Sequence, residues 1–242
     1  MSGIFYNLGK MVGPHVRKVK WVWQSITGSE ADAIKVEHEV GQDLAREIRH
    51  QLELDAEPRA GQMLNEVGSR LAACVANELR TFSFETVKGT EPNAFALPGG
   101  FIFVSRSLVE LCEWNQDEIA FILGHEMGHI IRGHAMDRVI SSSAITIGSS
   151  TAPVRGLFGG WLRRVGVKFL ESAYSQDLEL EADTLGARLA AAAGYDRHAP
   201  AQLLRRLAEL SRPVSQFSLG NYFSSHPALN VRIQNVNRLL GR

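Results

Sequence analysis

His125, Glu126 and His129 are the residues of this 242-residue chain best suited to do chemistry. They stand as His-Glu-Met-Gly-His inside an apolar stretch with helical character. Histidines four apart share one helical face, so both rings reach a single metal ion, and the spacing is a zinc spacing. The glutamate between them is placed to take a proton from water held by that metal. On a wheel drawn from Asn115, Ile119, Leu123 and Ile130 form a narrow apolar stripe with Glu126 in its middle, and His125, His129 and Ile122 flank it. A carboxylate there is costly unless it is neutral, paired or near a metal. The metal reading therefore outweighs the alternative of two histidines that hydrogen-bond in a core.

An open catalytic zinc site takes three protein ligands and one water. The third ligand must come from an element packed on the first helix, and Glu179-Leu180-Glu181-Ala182-Asp183 offers one. Glu179 and Asp183 share a face, while Glu181 points nearly opposite and reads as a solvated charge. Ala182 and Gly186 are small enough for close helix approach. Glu179 is thus the candidate ligand and Asp183 the acceptor of an N–H from a ligand histidine. The plainer reading of Glu179 is an acidic helix face. His134, five residues past His129, falls too far round an unbroken helix for the same metal and reads as structural.

The elements that must position these groups follow from capping and periodicity. Ser29, with Glu30 and Asp32 behind it, starts a helix that runs to about residue 54, and Pro58 opens a second that runs to about 79. Residues 81–88 alternate, and 94–97 and 101–105 are short apolar runs separated by Pro98-Gly99-Gly100, which predicts a small sheet with a hairpin-like turn. Asn115 caps the motif helix, with Glu118 completing a capping box, and the pattern continues to about 140. Residues 141–160, rich in Ser and Gly, read as a loop; 161–193 read as one long helix stopped by Gly194; 200–210 and 227–240 close the chain. The whole predicts one mostly helical α+β domain over 29–242, with a small sheet inserted between helices.

Composition narrows the partners. Lys plus Arg and Asp plus Glu both number 26, so no basic surplus points to nucleic acid. Cys74 and Cys112 fit neither a zinc-cysteine spacing nor a disulfide framework and read as buried thiols. No secretory signal or membrane-length apolar run is visible, and the best window, 139–162, is too polar to span. The expected location is therefore cytoplasmic. Within residues 1–28, Arg17, Lys18 and Lys20 are interleaved with Trp21 and Trp23. That segment either lies on an anionic membrane surface or packs its tryptophans on the domain body.

These blocks together resemble peptidase family M48, which includes the CAAX prenyl endopeptidases, the bacterial membrane protease HtpX and the mitochondrial Oma-type protease. The resemblance rests on His125 to His129 followed by His134, and on Glu179, Ala182, Asp183 and Gly186. It extends to the segment from Asn93, Ala94, Phe95 and Ala96 through Pro98-Gly99-Gly100 into Phe101, and to His226-Pro227 with Arg232-Ile233. It implies a zincin-like, gluzincin fold with one zinc ion per chain. His125, His129 and Glu179 would be its ligands and Glu126 its base. Two departures stand out. Ser175-Gln176 replaces the Ser-Arg of many members, and a polar interval lies where several members carry membrane helices.

The expected activity is zinc-dependent endoproteolysis of protein substrates, with a zinc-bound water as nucleophile and Glu126 as general base. His226 is a candidate second oxyanion donor and Arg232 a candidate partner of Asp183; the alternative is that both anchor the last helix. An extended substrate would add to an edge formed by residues 94–104, with Asn93, Ala94, Phe95 and Ala96 at its start. The rivals are a latent enzyme and a non-cleaving, zinc-stabilised peptide-binding or chaperone-like module. Sequence leaves the oligomeric state open.

Overall fold

The computed structural model describes residues 29–89, 91–143, 157–166, 174–210 and 229–240. The basic segment 1–28 and His226 lie outside them. The described elements are α1 (Glu30–Gln51), α2 (Pro58–Ala72), β1 (Ser83–Val87), β2 (Ala94–Leu97), a single 3-10 turn (Pro98–Gly100), β3 (Phe101–Ser105) and α3 (Arg106–Leu111). They are followed by α4 (Gln116–Ile131), α5 (His134–Ser143), α6 (Leu157–Val165), α7 (Gln176–Ala192), α8 (Ala199–Leu210) and α9 (Leu229–Leu240). This is the mostly helical α+β arrangement that the sequence predicts.

The sheet has order β1-β3-β2, with β1 parallel and β2 antiparallel to the central β3. Successive side chains of a strand face opposite ways, and here both faces are covered. Ala94, Ala96, Ile102 and Val104 join a core that contains α2, α4 and α8 residues such as Leu64, Leu123 and Leu204. Phe95, Leu97, Phe101 and Phe103 join a second core with Leu44 and Ile48 of α1 and Phe158, Trp161 and Leu162 of α6. Burial on both sides explains the continuous apolar runs in β2 and β3, where a one-sided sheet would alternate. α4 is thereby clamped between the sheet and α2, α7 and α8, and every side chain from Glu118 to Ile130 is buried. The narrow apolar stripe read from the wheel is in fact a helix buried all round.

Several boundaries differ from the sequence reading. Ser105 ends β3 and caps α3 by accepting from the Leu108 N–H at 3.2 Å, a short helix not expected there. The motif helix ends at Ile131 instead of running to 140, because Gly133 takes a left-handed φ of 79° and a new helix begins at His134. Among the described residues, the long pattern 161–193 is broken: Gly166, with φ 74°, follows the end of α6, and α7 begins at Gln176. The candidate substrate edge narrows to β2, since β3 is the central strand. Cys112 is buried, Cys74 half-buried, and both are free thiols as expected. Among the described residues no helix is long and apolar enough to cross a membrane.

α4 and α7 approach to backbone contact. A Cβ placed on Gly186 would lie 2.6 Å from the His125 backbone nitrogen, and one on Gly124 would lie 2.8 Å from the Gly186 carbonyl oxygen. The small residues seen in the sequence therefore do bring the two backbones together, with Gly124 and Gly128 as their unforeseen partners. Gly186→Ala is expected to force the helices apart and cost about 1–3 kcal/mol by overpacking. Urea unfolding would measure it, with Gly160→Ala as control, because nothing lies within 4 Å of a Cβ there.

Candidate metal centre

α4 begins where the sequence places it. Asn115 accepts from the Asp117 and Glu118 N–H groups at 2.9 and 3.4 Å, satisfying donors that a helix start leaves open. The expected capping box is only half built, because the Glu118 carboxylate is paired instead with Arg206 of α8. From this start, the third and fourth turns deliver His125, Glu126 and His129 into the interior, at 0%, 1% and 0% exposure.

Glu179, in the first turn of α7, meets them. Its Oε2 lies 3.6 Å from His125 Nε2, its Oε1 lies 3.4 Å from His129 Nε2, and the two Nε2 atoms are 3.1 Å apart. One ligand atom from each of the three falls within 4.8 Å of the others. The glycine-mediated approach of α7 makes this convergence available.

The surrounding groups fix how these side chains are protonated. His125 Nδ1 is 2.9 Å from Asp183 Oδ1. An ionised carboxylate only accepts, so His125 donates from Nδ1 and carries its lone pair on Nε2, toward Glu179. Arg232 of α9, fully buried, grips Asp183 with two hydrogen bonds, Nε to Oδ2 at 2.9 Å and an Nη to Oδ1 at 2.7 Å. Its other Nη lies 3.2 Å from Glu179 Oε2. Burial pushes the Asp183 carboxyl up, but the Arg232 charge and the His125 and Arg232 hydrogen bonds outweigh it and hold the group below its usual range. Asp183 thus stands beside the candidate ligands, as its spacing from Glu179 suggested, and Arg232 pairs with it there.

Tyr174 was not foreseen. Its ring stacks on His129 with centroids 3.9 Å apart and planes 14° apart, and the Arg138 guanidinium lies 4.4 Å from the centroid of the Tyr174 ring. Burial holds its hydroxyl well above the usual phenol range; Arg138 opposes this, while Glu126, Glu179 and Asp137 add to it. Nothing in the local pattern marks this residue, since it precedes the helix it serves and its role comes from tertiary contact. Arg138 also donates to the Ala96 carbonyl at 3.1 Å, which occupies one outward group of the β2 edge. Asn93 donates its N–H to Ser105 Oγ at 2.8 Å; in β2, Ala94 and Ala96 are buried on the α4 side of the sheet and Phe95 on the α1 and α6 side. His134, read as structural, lies with Nδ1 3.1 Å from His129 Nδ1. The turn at Gly133 brings it back.

The donor set fits a divalent metal. The His125 tautomer aims a lone pair at a point shared with His129 Nε2 and the Glu179 carboxylate, an arrangement that only a cation or proton reconciles. The four buried groups Glu126, Glu179, Asp183 and Arg232, when ionised, set three negative charges against one positive. The surplus of two is what a divalent ion neutralises, and buried charge is tolerated when so compensated. A histidine pair on one helix, closed by a glutamate from a second helix beside a small sheet, defines a zincin-like metallopeptidase domain.

Sequence comparison agrees with that class. The chain belongs to Peptidase family M48, whose sequence model matches residues 58–240. It is 31% identical over 199 residues to the beta-barrel assembly-enhancing protease of Yersinia pestis, a match covering 76% of this chain and 40% of that one. It is 30% identical over 161 residues to the mitochondrial metalloendopeptidase OMA1 of Saccharomyces cerevisiae, covering 62% of this chain and 44% of the relative. With the metalloprotease LoiP of Escherichia coli the identity is 27% over 195 residues, 76% of this chain and 75% of the other. The chain therefore spans less than half the length of the first two relatives.

Proposed function

We propose that the chain is a zinc-dependent metalloendopeptidase that hydrolyses internal peptide bonds of protein substrates. The observation that carries this is the meeting of His125, His129 and Glu179 in one buried cluster, with Glu126 on the same helix. His125, His129 and Glu179 would hold the zinc ion. When bound, the ion would supply Lewis acidity, lowering the pKa of water and polarising a substrate carbonyl. Glu126 takes the water proton at its carboxylate and returns it to the leaving amine. Asp183 keeps the His125 proton on Nδ1 and so keeps Nε2 available, and Arg232 holds Asp183 in place. Asn93, Ala94, Phe95 and Ala96 would register an extended substrate by backbone hydrogen bonds, once Arg138 leaves the Ala96 carbonyl. His226, outside the described residues, is retained as the second oxyanion donor. The catalytic domain is 29–242, and the basic segment 1–28, outside the described residues, keeps two readings: packing of its tryptophans on the domain body, or peripheral contact with an anionic membrane surface.

A second reading is a latent form of the same enzyme. It is favoured by the near-complete burial of His125, Glu126 and Glu179 together with the Arg138 contact on the β2 edge. Unfolded casein incubated with the protein distinguishes the readings. The active enzyme is expected to cut it, to lose all cutting with a zinc chelator, and to regain it on zinc addition. Cutting that persists without zinc would defeat the proposal. Stoichiometric zinc with no cutting would defeat the active reading and leave the latent form and the non-cleaving peptide-binding module.

A further inference from the structure

We propose that His134 and Glu181 form a second proton-directing support for the metal centre, holding His129 in its ligand tautomer as Asp183 holds His125. The inference rests on the zinc reading above. His129 and His134 face each other through their Nδ1 atoms at 3.1 Å, and both rings are buried. Two imidazole nitrogens at that distance share one proton, so one ring donates and the other accepts. If His134 donated, a neutral His129 would carry its own proton on Nε2, the atom that faces His125 Nε2 and Glu179. That proton would block metal ligation. His134 would also then present a bare Nε2 lone pair to the Glu181 carboxylate, 3.6 Å away.

The opposite arrangement satisfies every group. The Glu181 carboxylate favours a proton on His134 Nε2, which leaves His134 Nδ1 as acceptor. His129 then donates from Nδ1 and turns its Nε2 lone pair toward Glu179. The Tyr174 stack fixes the plane of the His129 ring, and His134 fixes which edge faces the metal. Glu179, Glu181 and Asp183 thus act from one helix turn and a half, as ligand and as the outer groups of the two histidines. Glu181, which points away from Glu179 on α7, reaches the metal site through His134. His134 is accordingly a positioning residue and not a ligand.

Zinc affinity by competition with a chromophoric chelator tests this, with thermal unfolding of the zinc-free proteins measured alongside. His134→Leu is expected to bind zinc about 10–100-fold more weakly, the range found when outer partners of metal ligands are removed. His134→Asn, whose amide oxygen can still accept from His129 Nδ1, is expected to recover most of that loss. Glu181 is 56% exposed, so Glu181→Ala should leave zinc-free unfolding unchanged while weakening zinc several-fold. Wild-type affinity in both His134→Leu and Glu181→Ala would overturn the inference and leave the zinc reading intact. An affinity loss in His134→Asn equal to that in His134→Leu, matched by lower zinc-free stability, would reduce His134 to a packing role. If the wild-type protein itself fails to bind zinc, the zinc reading falls and this inference with it.

Discussion

Glu126→Gln is expected to bind one zinc ion like the wild type and to cut casein about 100- to 10,000-fold more slowly, the usual weight of a positioned general base. That loss corresponds to about 3–5 kcal/mol of barrier. Glutamine keeps the length and shape of the side chain in a site where Glu126 is 1% exposed, so packing is preserved. What it cannot do is take a proton from water. Because Glu126 is not among the three convergent ligand groups, affinity for zinc should stay within a few-fold. Removal of a buried charge should leave the melting temperature equal or higher. Undiminished cleavage by the variant would remove Glu126 from the mechanism, whereas loss of both zinc and cleavage would mean that the substitution acts through the metal.

The largest stability effect is expected at Arg232. Its guanidinium is fully buried and touches Asp183 twice and Glu179 once, and both carboxylates are themselves fully buried. Arg232→Ala strands those charges, and breaking a buried pair from one side costs about 3–5 kcal/mol. That is a large share of the 5–15 kcal/mol typical of a folded domain. Zinc should restore part of it by compensating Glu179, but not Asp183. Arg232→Lys is expected to fall between, since a single ammonium cannot reproduce the fork that meets both oxygens of Asp183. Urea unfolding with and without zinc measures all three proteins. A zinc-free Arg232→Ala protein within about 1 kcal/mol of wild type would show that the cluster is not ionised as drawn.

What the sequence discloses about this site divides along a physical line. The histidine pair, Glu126 and the Asn115 cap depend on spacing within one helix, and all were legible. Glu179 and Asp183 were legible because their four-residue spacing, with Ala182 and Gly186 beside them, encodes both a face and a close approach. Glu118 looked like half of a capping box, yet Arg206 from α8 claims its carboxylate. His134 was set aside because the wheel assumed an unbroken helix, and one left-handed glycine, Gly133, cancels that assumption. Tyr174 and Arg138 work through stacking and a long-range hydrogen bond, for which periodicity carries no signal. Capping and period are local energies; the outer groups of the metal centre are chosen by tertiary neighbours.

The glycine-to-backbone contact of α4 with α7 has a topological consequence. The two halves of the metal centre are registered by direct backbone contact at Gly124 and Gly186. Loop closure depends only logarithmically on length, so doubling the interval between them costs about 0.6 kcal/mol. Chain between α5 and Tyr174 can therefore be gained or lost while the ligand geometry persists, provided that His134, Arg138 and Tyr174 keep their places against His129.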